Sequence, residues 1–481
     1  MAEKNSAPIF DAMKKYSADG ALAFHTPGHK QGLGSHKFLN ELITAEGLRC
    51  EVSLMEELDD LHSPHSCIKL SQEFAAELWH ADETIFFVNG TTSAVQAMIL
   101  STINPGEKIF VPRNSHRSVM SAIILAGAIP IFLPVEFSNE LKIPLNISIE
   151  TLERAIKKFP DAKALIITSP NYYGVSADLK KISELLHKNK MLLLVDEAHG
   201  AHLQFSKILP PSAMDSGADL SAQSTHKLLG SLTQTSMLMI RKKFIDVERV
   251  RKVSSLLQTT SPNYLLLASL DISRLQMQET GEEKIFRAIE LSKKIRRAVE
   301  QIPNLKTFDA VKNFSLDLLK VTINVENLGL DGLEAEKILR HEFKIQCELS
   351  DPTNLLFLVT YADTEEKILR LIEVLEKFAE KFKNNSWVKK ISQINFSSEI
   401  SEPKISPREI FFAQTESVSL EKSIGRICAE EVTFYPPGIP SINPGEKITA
   451  EVLENIRQLK NIGGRIIGAS DTNLNSVRIK K

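Results

Sequence analysis

The stretch Ser224-Thr225-His226-Lys227-Leu228-Leu229-Gly230 carries the side chain best suited to covalent chemistry. A lysine acts as a nucleophile only when neutral, so it needs a partly dry pocket or neighbouring cations to lower its pKa. Small hydroxyl residues before Lys227 and a glycine after it suit a backbone that closely approaches a bulky anionic ligand. Upstream, Asp196 follows the apolar run Met191–Val195, which reads as a buried parallel strand. An acid at a strand's carboxyl end and a lysine on a later loop are the pair that pyridoxal phosphate requires. The lysine takes the aldehyde covalently, and the carboxylate keeps the pyridine nitrogen protonated so that the ring accepts electrons. Taken singly, the two have plainer readings as a surface lysine and a turn acid.

Other stretches converge on the same chemistry. Asn89-Gly90-Thr91-Thr92-Ser93 opens a helical pattern, where free N–H groups and the helix dipole favour a phosphate. Plain N-capping by Thr or Ser is the alternative. His116 stands at a strand-to-helix turn, placed either to stack on a flat ligand or to cap its helix. The turn-rich segment His25–Gly32 adds two histidines and a lysine. The acidic run Glu56–Pro64, with Asp59 and Asp60, is either a solvated face or a pocket for a basic substrate.

These residues need a scaffold that brings strand ends together. Short apolar runs at Thr84–Val88, Lys108–Pro112, Ile129–Leu133, Ala164–Thr168, Met191–Val195, Asp219–Gln223 and Ser236–Ile240 alternate with helical patterns. That alternation predicts an α/β fold with a mostly parallel sheet, whose ligands sit beyond the strands' carboxyl ends. Residues 1–70 read as an N-terminal arm and 71–283 as the cofactor-binding large domain. Helices over Tyr264–Leu275 and Lys284–Ile302 lead into a small α+β domain, residues 284–383, with strands at Leu318–Val325, Ile345–Leu349 and Leu355–Val359. A polar linker, 384–408, precedes a C-terminal domain over 409–481. The string Asn-Pro-Gly-Glu-Lys occurs at Asn104–Lys108 and Asn443–Lys447 and reads as recurrent turn chemistry.

Composition narrows the function classes. With 481 residues, 43% hydrophobic and 25% charged, the chain has the make-up of a multidomain globular protein. A net charge of −2 gives no electrostatic reason to expect nucleic acid or an anionic membrane as partner. The four cysteines show no metal spacing, so no metal and free thiols are expected. No apolar run approaches a membrane span and Met1–Ser6 lacks a signal core, which together predict a cytoplasmic protein.

In order and spacing, these motifs resemble the bacterial ornithine/lysine/arginine decarboxylases of the aspartate-aminotransferase-like fold type I. The short Gram-positive-type arginine enzymes are the nearest in pattern. The resemblance rests on His25–Gly32, Asn89–Ser93, Arg113–Ser118, Asp196–Gly200, Ser224–Lys227, Ser231–Met237 and the tail Tyr435–Pro440 with Gly445-Glu446. It implies that Lys227 carries pyridoxal 5'-phosphate and Asp196 faces the pyridine nitrogen. Gly90, Thr91, Thr92, Ser224 and His226 would lie at or near the phosphate, and His116 would stack on the ring. His199 stands where the longer lysine enzymes carry tryptophan. Lys227 or His226 would return the proton, and Asp59, Asp60 and Glu446 are candidate partners of the substrate's basic head group. The implied reaction is L-arginine to agmatine and carbon dioxide, a step in polyamine biosynthesis, in a homodimer or dimer-based oligomer. Lysine or ornithine as substrate, and another type I activity such as an aminotransferase or carbon–sulfur lyase, stay as alternatives. The large N-terminal wing of the long enzymes is not expected. A DNA-binding regulator is disfavoured because residues 1–70 show no basic helix pair.

Overall fold

The computed structural model describes residues 5–385, 399–435, 439–462 and 465–481. Residues 386–398, most of the expected linker, and 436–438, within the Tyr435–Pro440 tail, lie outside the described residues. Seven strands, β1 (Glu83–Phe87), β2 (Lys108–Pro112), β3 (Ile129–Leu133), β4 (Ala164–Thr168), β5 (Leu192–Asp196), β6 (Leu220–Gln223) and β7 (Ser236–Ile240), form one sheet in the order β1-β7-β6-β5-β4-β2-β3. Pairings of β2 with β3 and β4, and of β5 with β6, are parallel. Strand β7 runs antiparallel to both its neighbours. The link from β6 to β7 is spent on one short helix and a turn rather than a full crossover, so the chain returns antiparallel. Lys227 lies in that link.

Six helices matter here: α1 (Pro8–Ala18), α2 (Cys67–Leu78), α3 (Gly90–Thr102), α4 (Arg117–Ala126), α5 (Thr225–Leu228) and α6 (Tyr264–Val299). The chain forms two compact units. The first holds Met1–Thr102, Leu194–Lys207 and Pro211–Glu283; the second holds Ile103–Leu193, Ile208–Pro210 and Lys284–Lys481.

In the first unit, proline at the start of α1 fits a position whose N–H would be unpaired anyway. Ile9 and Met13 bury the inner face of α1. The Ile9 N–H donates to Asp271 Oδ2 at 2.8 Å, and Ser71 and Arg274 donate to Oδ1 at 2.7 and 2.8 Å. The expected arm is therefore tied at its base to a buried ion pair of α6. Helix α6 corrects the sequence reading, which placed separate helices at 264–275 and 284–302. A single 36-residue helix runs through Gly281. A Cβ on Gly281 would lie 2.8 Å from the Phe205 ring, so this glycine admits a close aromatic contact rather than ending a helix.

In the second unit, the smaller sheet has the order β8 (Lys306–Thr307), β9 (Lys320–Asn324), β11 (Asn354–Leu358), β10 (Leu349–Ser350), all antiparallel. The expected strand over 345–349 shrinks to Leu349-Ser350. Lys344 turns left-handed at φ +60 and the Ile345 N–H closes the preceding helix on Leu339 O at 2.9 Å. Near the C-terminus, Leu420, Cys428, Val432, Phe434, Ile448 and Ile479 belong to a core of their own. Both Asn-Pro-Gly-Glu-Lys strings form the same turn. Glu107 N–H reaches Asn104 O at 3.1 Å, Glu446 N–H reaches Asn443 O at 3.2 Å, and the glycines sit at φ +82 and +90. No helix among the described residues is long and apolar enough to cross a membrane.

Candidate active site

Strand β6 delivers Ser224, the residue that precedes helix α5, and α5 carries His226 and Lys227. The Lys227 Nζ lies 2.9 Å from His199 Nε2. His199 follows the end of β5, where Asp196 is buried. The Asp196 carboxylate accepts the Ala198 N–H at 3.2 Å, which orients it at the strand's end. An amine, an imidazole and a carboxylate thus come from two adjacent parallel strand ends, where side chains converge on ligands in α/β sheets.

A hydroxyl cluster lies at the same ends. Thr91, in the first turn of α3, has its Oγ1 2.5 Å from Ser224 Oγ and donates to Ser236 Oγ at 2.8 Å. Ser236 Oγ in turn donates to Gln223 O at 2.8 Å. Ser224 spends its hydroxyl on Thr91 and makes no side-chain cap on α5, and the Ser93 hydroxyl donates to Asn89 O at 3.0 Å. Gly90 stands at φ +77 with open space where a Cβ would go, and the adjacent Thr92 is exposed. Hydroxyls gathered at the N-terminus of a long helix are suited to a phosphate. Ser236 was not singled out as a site residue in the sequence, although it lies within the motif stretch Ser231–Met237.

His226 is half-buried, and its Nδ1–H donates to Thr235 O at 2.8 Å. Burial holds its pKa below the ordinary imidazole value. The ring is therefore neutral near pH 7, with Nε2 left as an acceptor. His116, in the second unit, is the N-cap of α4. Its Nδ1 accepts from Ser118 N–H at 3.2 Å and contacts Ser118 Oγ at 2.8 Å.

The acids expected near the substrate divide. Asp59 is buried and accepts the N–H groups of Asp60, His65, Ser66, Ile68 and Lys69 at 2.8–3.3 Å. Burial pushes its pKa up, but the backbone donors outweigh that and hold it below the ordinary carboxylate value. Its own backbone sits at φ +69, a strained conformation costing about 1–3 kcal/mol. Asp59 is an anchor for the entry to α2.

Glu446 is held in an ion pair. Arg113, at the end of β2, donates to its Oε1 at 2.6 Å and its Oε2 at 3.2 Å, and Asn443 N–H donates to Oε2 at 3.0 Å. The Arg113 guanidinium also lies 5.0 Å over the Phe132 ring. Burial pushes the Glu446 pKa up, and Arg113 more than reverses this. Replacing Glu446 with Ala strands a buried guanidinium and should cost about 3–5 kcal/mol of stability in urea unfolding. The acid's contribution is present above its unfolded pKa and is lost as pH falls through its lowered folded value. Unchanged stability would contradict the pairing. Asp60 is half-buried and accepts only the His62 N–H, at 2.9 Å, among the bonds described.

Comparison with known proteins gives this arrangement its context. The model of the Orn/Lys/Arg decarboxylase major domain matches residues 7–321, and that of the family's C-terminal domain matches residues 389–469. The arginine decarboxylase of Halalkalibacterium halodurans is 40% identical over 486 residues, covering 100% of this chain and 99% of that protein. That of Bacillus subtilis is 40% identical over 483 residues, covering 99% of this chain and 98% of that protein. Among solved structures, the Francisella novicida lysine decarboxylase superposes with a TM-score of 0.86 at 24% identity, over 99% of this chain and 81% of that one. Its likeness establishes the fold, which is fold type I.

Proposed function

The chain belongs to the Orn/Lys/Arg decarboxylase family, and on that premise we propose that it is a pyridoxal phosphate-dependent decarboxylase converting L-arginine to agmatine and carbon dioxide. Family membership makes it a carboxy-lyase and sets aside the aminotransferase and carbon–sulfur lyase readings. The observation that carries the cofactor assignment is Lys227 Nζ at 2.9 Å from His199 Nε2, on strand ends that also present Asp196. The donor set fits the cofactor group by group. Thr91, Ser224 and Ser236, with the N-terminus of α3, would hold the phosphate; Lys227 would take the aldehyde; Asp196 would face the pyridine nitrogen.

When bound, the cofactor supplies a ring that accepts the electron pair released as the bond between the α carbon and the carboxylate breaks. Asp196, buried at its strand end, would face the ring nitrogen in a setting where electrostatic support is strongest. Lys227 would return one proton to the α carbon, so that amine and carbon dioxide leave in equal amounts. His226, neutral with its Nδ1–H committed to Thr235, has no proton at Nε2 to donate and suits the acceptor role better. His199 receives the Lys227 amine through Nε2 and would steer it between these duties.

The substrate assignment leans on 40% identity along the whole chain to two arginine decarboxylases. Asp60 is the remaining candidate for the guanidinium, since Asp59 and Glu446 are committed elsewhere. Comparing kcat/KM for arginine, lysine and ornithine, with product amines identified, tests the reading. Arginine is expected to lead, and faster turnover of either rival would overturn that part. Agmatine would then enter polyamine biosynthesis, in the cytoplasm.

A homodimer fits the first unit. Leu22, Phe24 and Leu33 are 83%, 90% and 92% exposed, in a segment that follows the anchored α1. Large apolar side chains this exposed and close in sequence mark an interaction surface, and a second copy is the proposed occupant. The protein should sediment at twice its 53.7 kDa chain mass, and Phe24→Glu with Leu33→Glu should shift it toward monomer. A wild-type monomer at micromolar concentration would refute this.

A further inference from the structure

Immediately after Asp196, Glu197 is completely buried and takes no part in the chemistry just described. Side chains alternate across a strand, so neighbours at a strand's end face opposite sides of the sheet. The Glu197 carboxylate collects three donors there. Ala213 N–H reaches Oε1 at 2.7 Å, and Ser221 Oγ and Gln223 Nε2 reach Oε2 at 2.9 and 2.8 Å. Its own N–H continues the ladder to Ala222 O at 2.9 Å. Glu197 therefore ties the end of β5, which presents Asp196, to the end of β6, which leads through Ser224 to Lys227. Gln223 also accepts Ser236 Oγ–H, the outer member of the Thr91–Ser224 cluster.

We propose that Glu197 is a positioning residue that, from behind the sheet, holds Asp196 and the Ser224–Lys227 turn in the register the cofactor needs. The inference rests on the reading of Lys227 and Asp196 as the cofactor's anchors. An ionised carboxylate is the form that accepts all three donors. Burial pushes its pKa up to about 7, with Asp215 adding repulsion, while Ser221 and Gln223 face it from β6 as neutral donors. Protonation removes an acceptor and adds a donor. The Gln223 Oε1, buried without a partner among the described residues, can receive it only if the amide turns over. The network thus has two arrangements, and three donors on one carboxylate match the ionised one.

Glu197→Gln imitates the protonated form at every pH and keeps hydrogen-bonding capacity, so it should fold. Relieved of a buried charge, it should melt no lower than wild type at pH 8. A purely structural role predicts unimpaired cofactor binding to accompany that stability. The positioning role predicts the opposite. At pH 8 the dissociation constant for pyridoxal phosphate, from spectral titration, should rise and kcat should fall about ten- to a hundred-fold, the range for an ångström-scale misplacement. Between pH 6 and 8 the wild type should bind more tightly as pH rises, and Glu197→Gln should lose that dependence. Glu197→Asp, which keeps the charge, should restore it in part. Cofactor affinity, kcat and pH profile all equal to wild type would overturn the role of Glu197 while leaving the site reading intact. Wild-type protein that takes pyridoxal phosphate on another lysine would overturn both.

Discussion

Lys227→Ala is expected to fold and yet to lose decarboxylation by several orders of magnitude. The substitution removes the only amine described beside His199 and Asp196, and with it both covalent anchorage and the proton to be returned to the α carbon. Its structural cost is small because the side chain is half-buried in a one-turn helix. Loss of activity with an unchanged melting temperature is thus the signature to look for. An apoprotein that melts many degrees lower would point to a structural lysine instead. Retention of more than about a tenth of wild-type turnover would contradict covalent catalysis at this position.

Asp196→Asn should lower kcat by about 10²- to 10³-fold, the size found for losing one preorganised electrostatic contact at developing charge. Asparagine has the same shape, and its side-chain oxygen can still accept the Ala198 N–H that orients Asp196. What it cannot do is hold the ring nitrogen's positive charge in a buried setting. Cofactor should therefore still bind, with activity failing more than affinity. Near-wild-type turnover would remove Asp196 from the account. A larger loss in KM than in kcat would move it from the electron sink to substrate binding.

The parts of this site visible in the sequence are those whose chemistry depends on residue type at a strand end. Lys227, Asp196 and Thr91 could be placed because apolar runs of strand length alternate with helical periods, which determines where strand ends fall. Strand edges were legible to within a residue or so, as at Lys108–Pro112 and Ala164–Thr168. What a side chain faces was not. Asp59 and Glu446 read as available acids beside turns, yet one is consumed by five backbone N–H groups and the other by Arg113. Such partners are distant in sequence or belong to the backbone, and neither leaves a mark on composition. Glu197 was passed over because its neighbour had the more obvious role.

The most direct test of the account is to find which lysine carries the cofactor. Purified protein loaded with pyridoxal phosphate would be reduced with borohydride, digested and mapped by mass spectrometry. A stable adduct on Lys227, in the peptide that includes Ser224-Thr225-His226, is the expected result. An adduct on any other lysine, or none at all in protein that decarboxylates arginine, would contradict it.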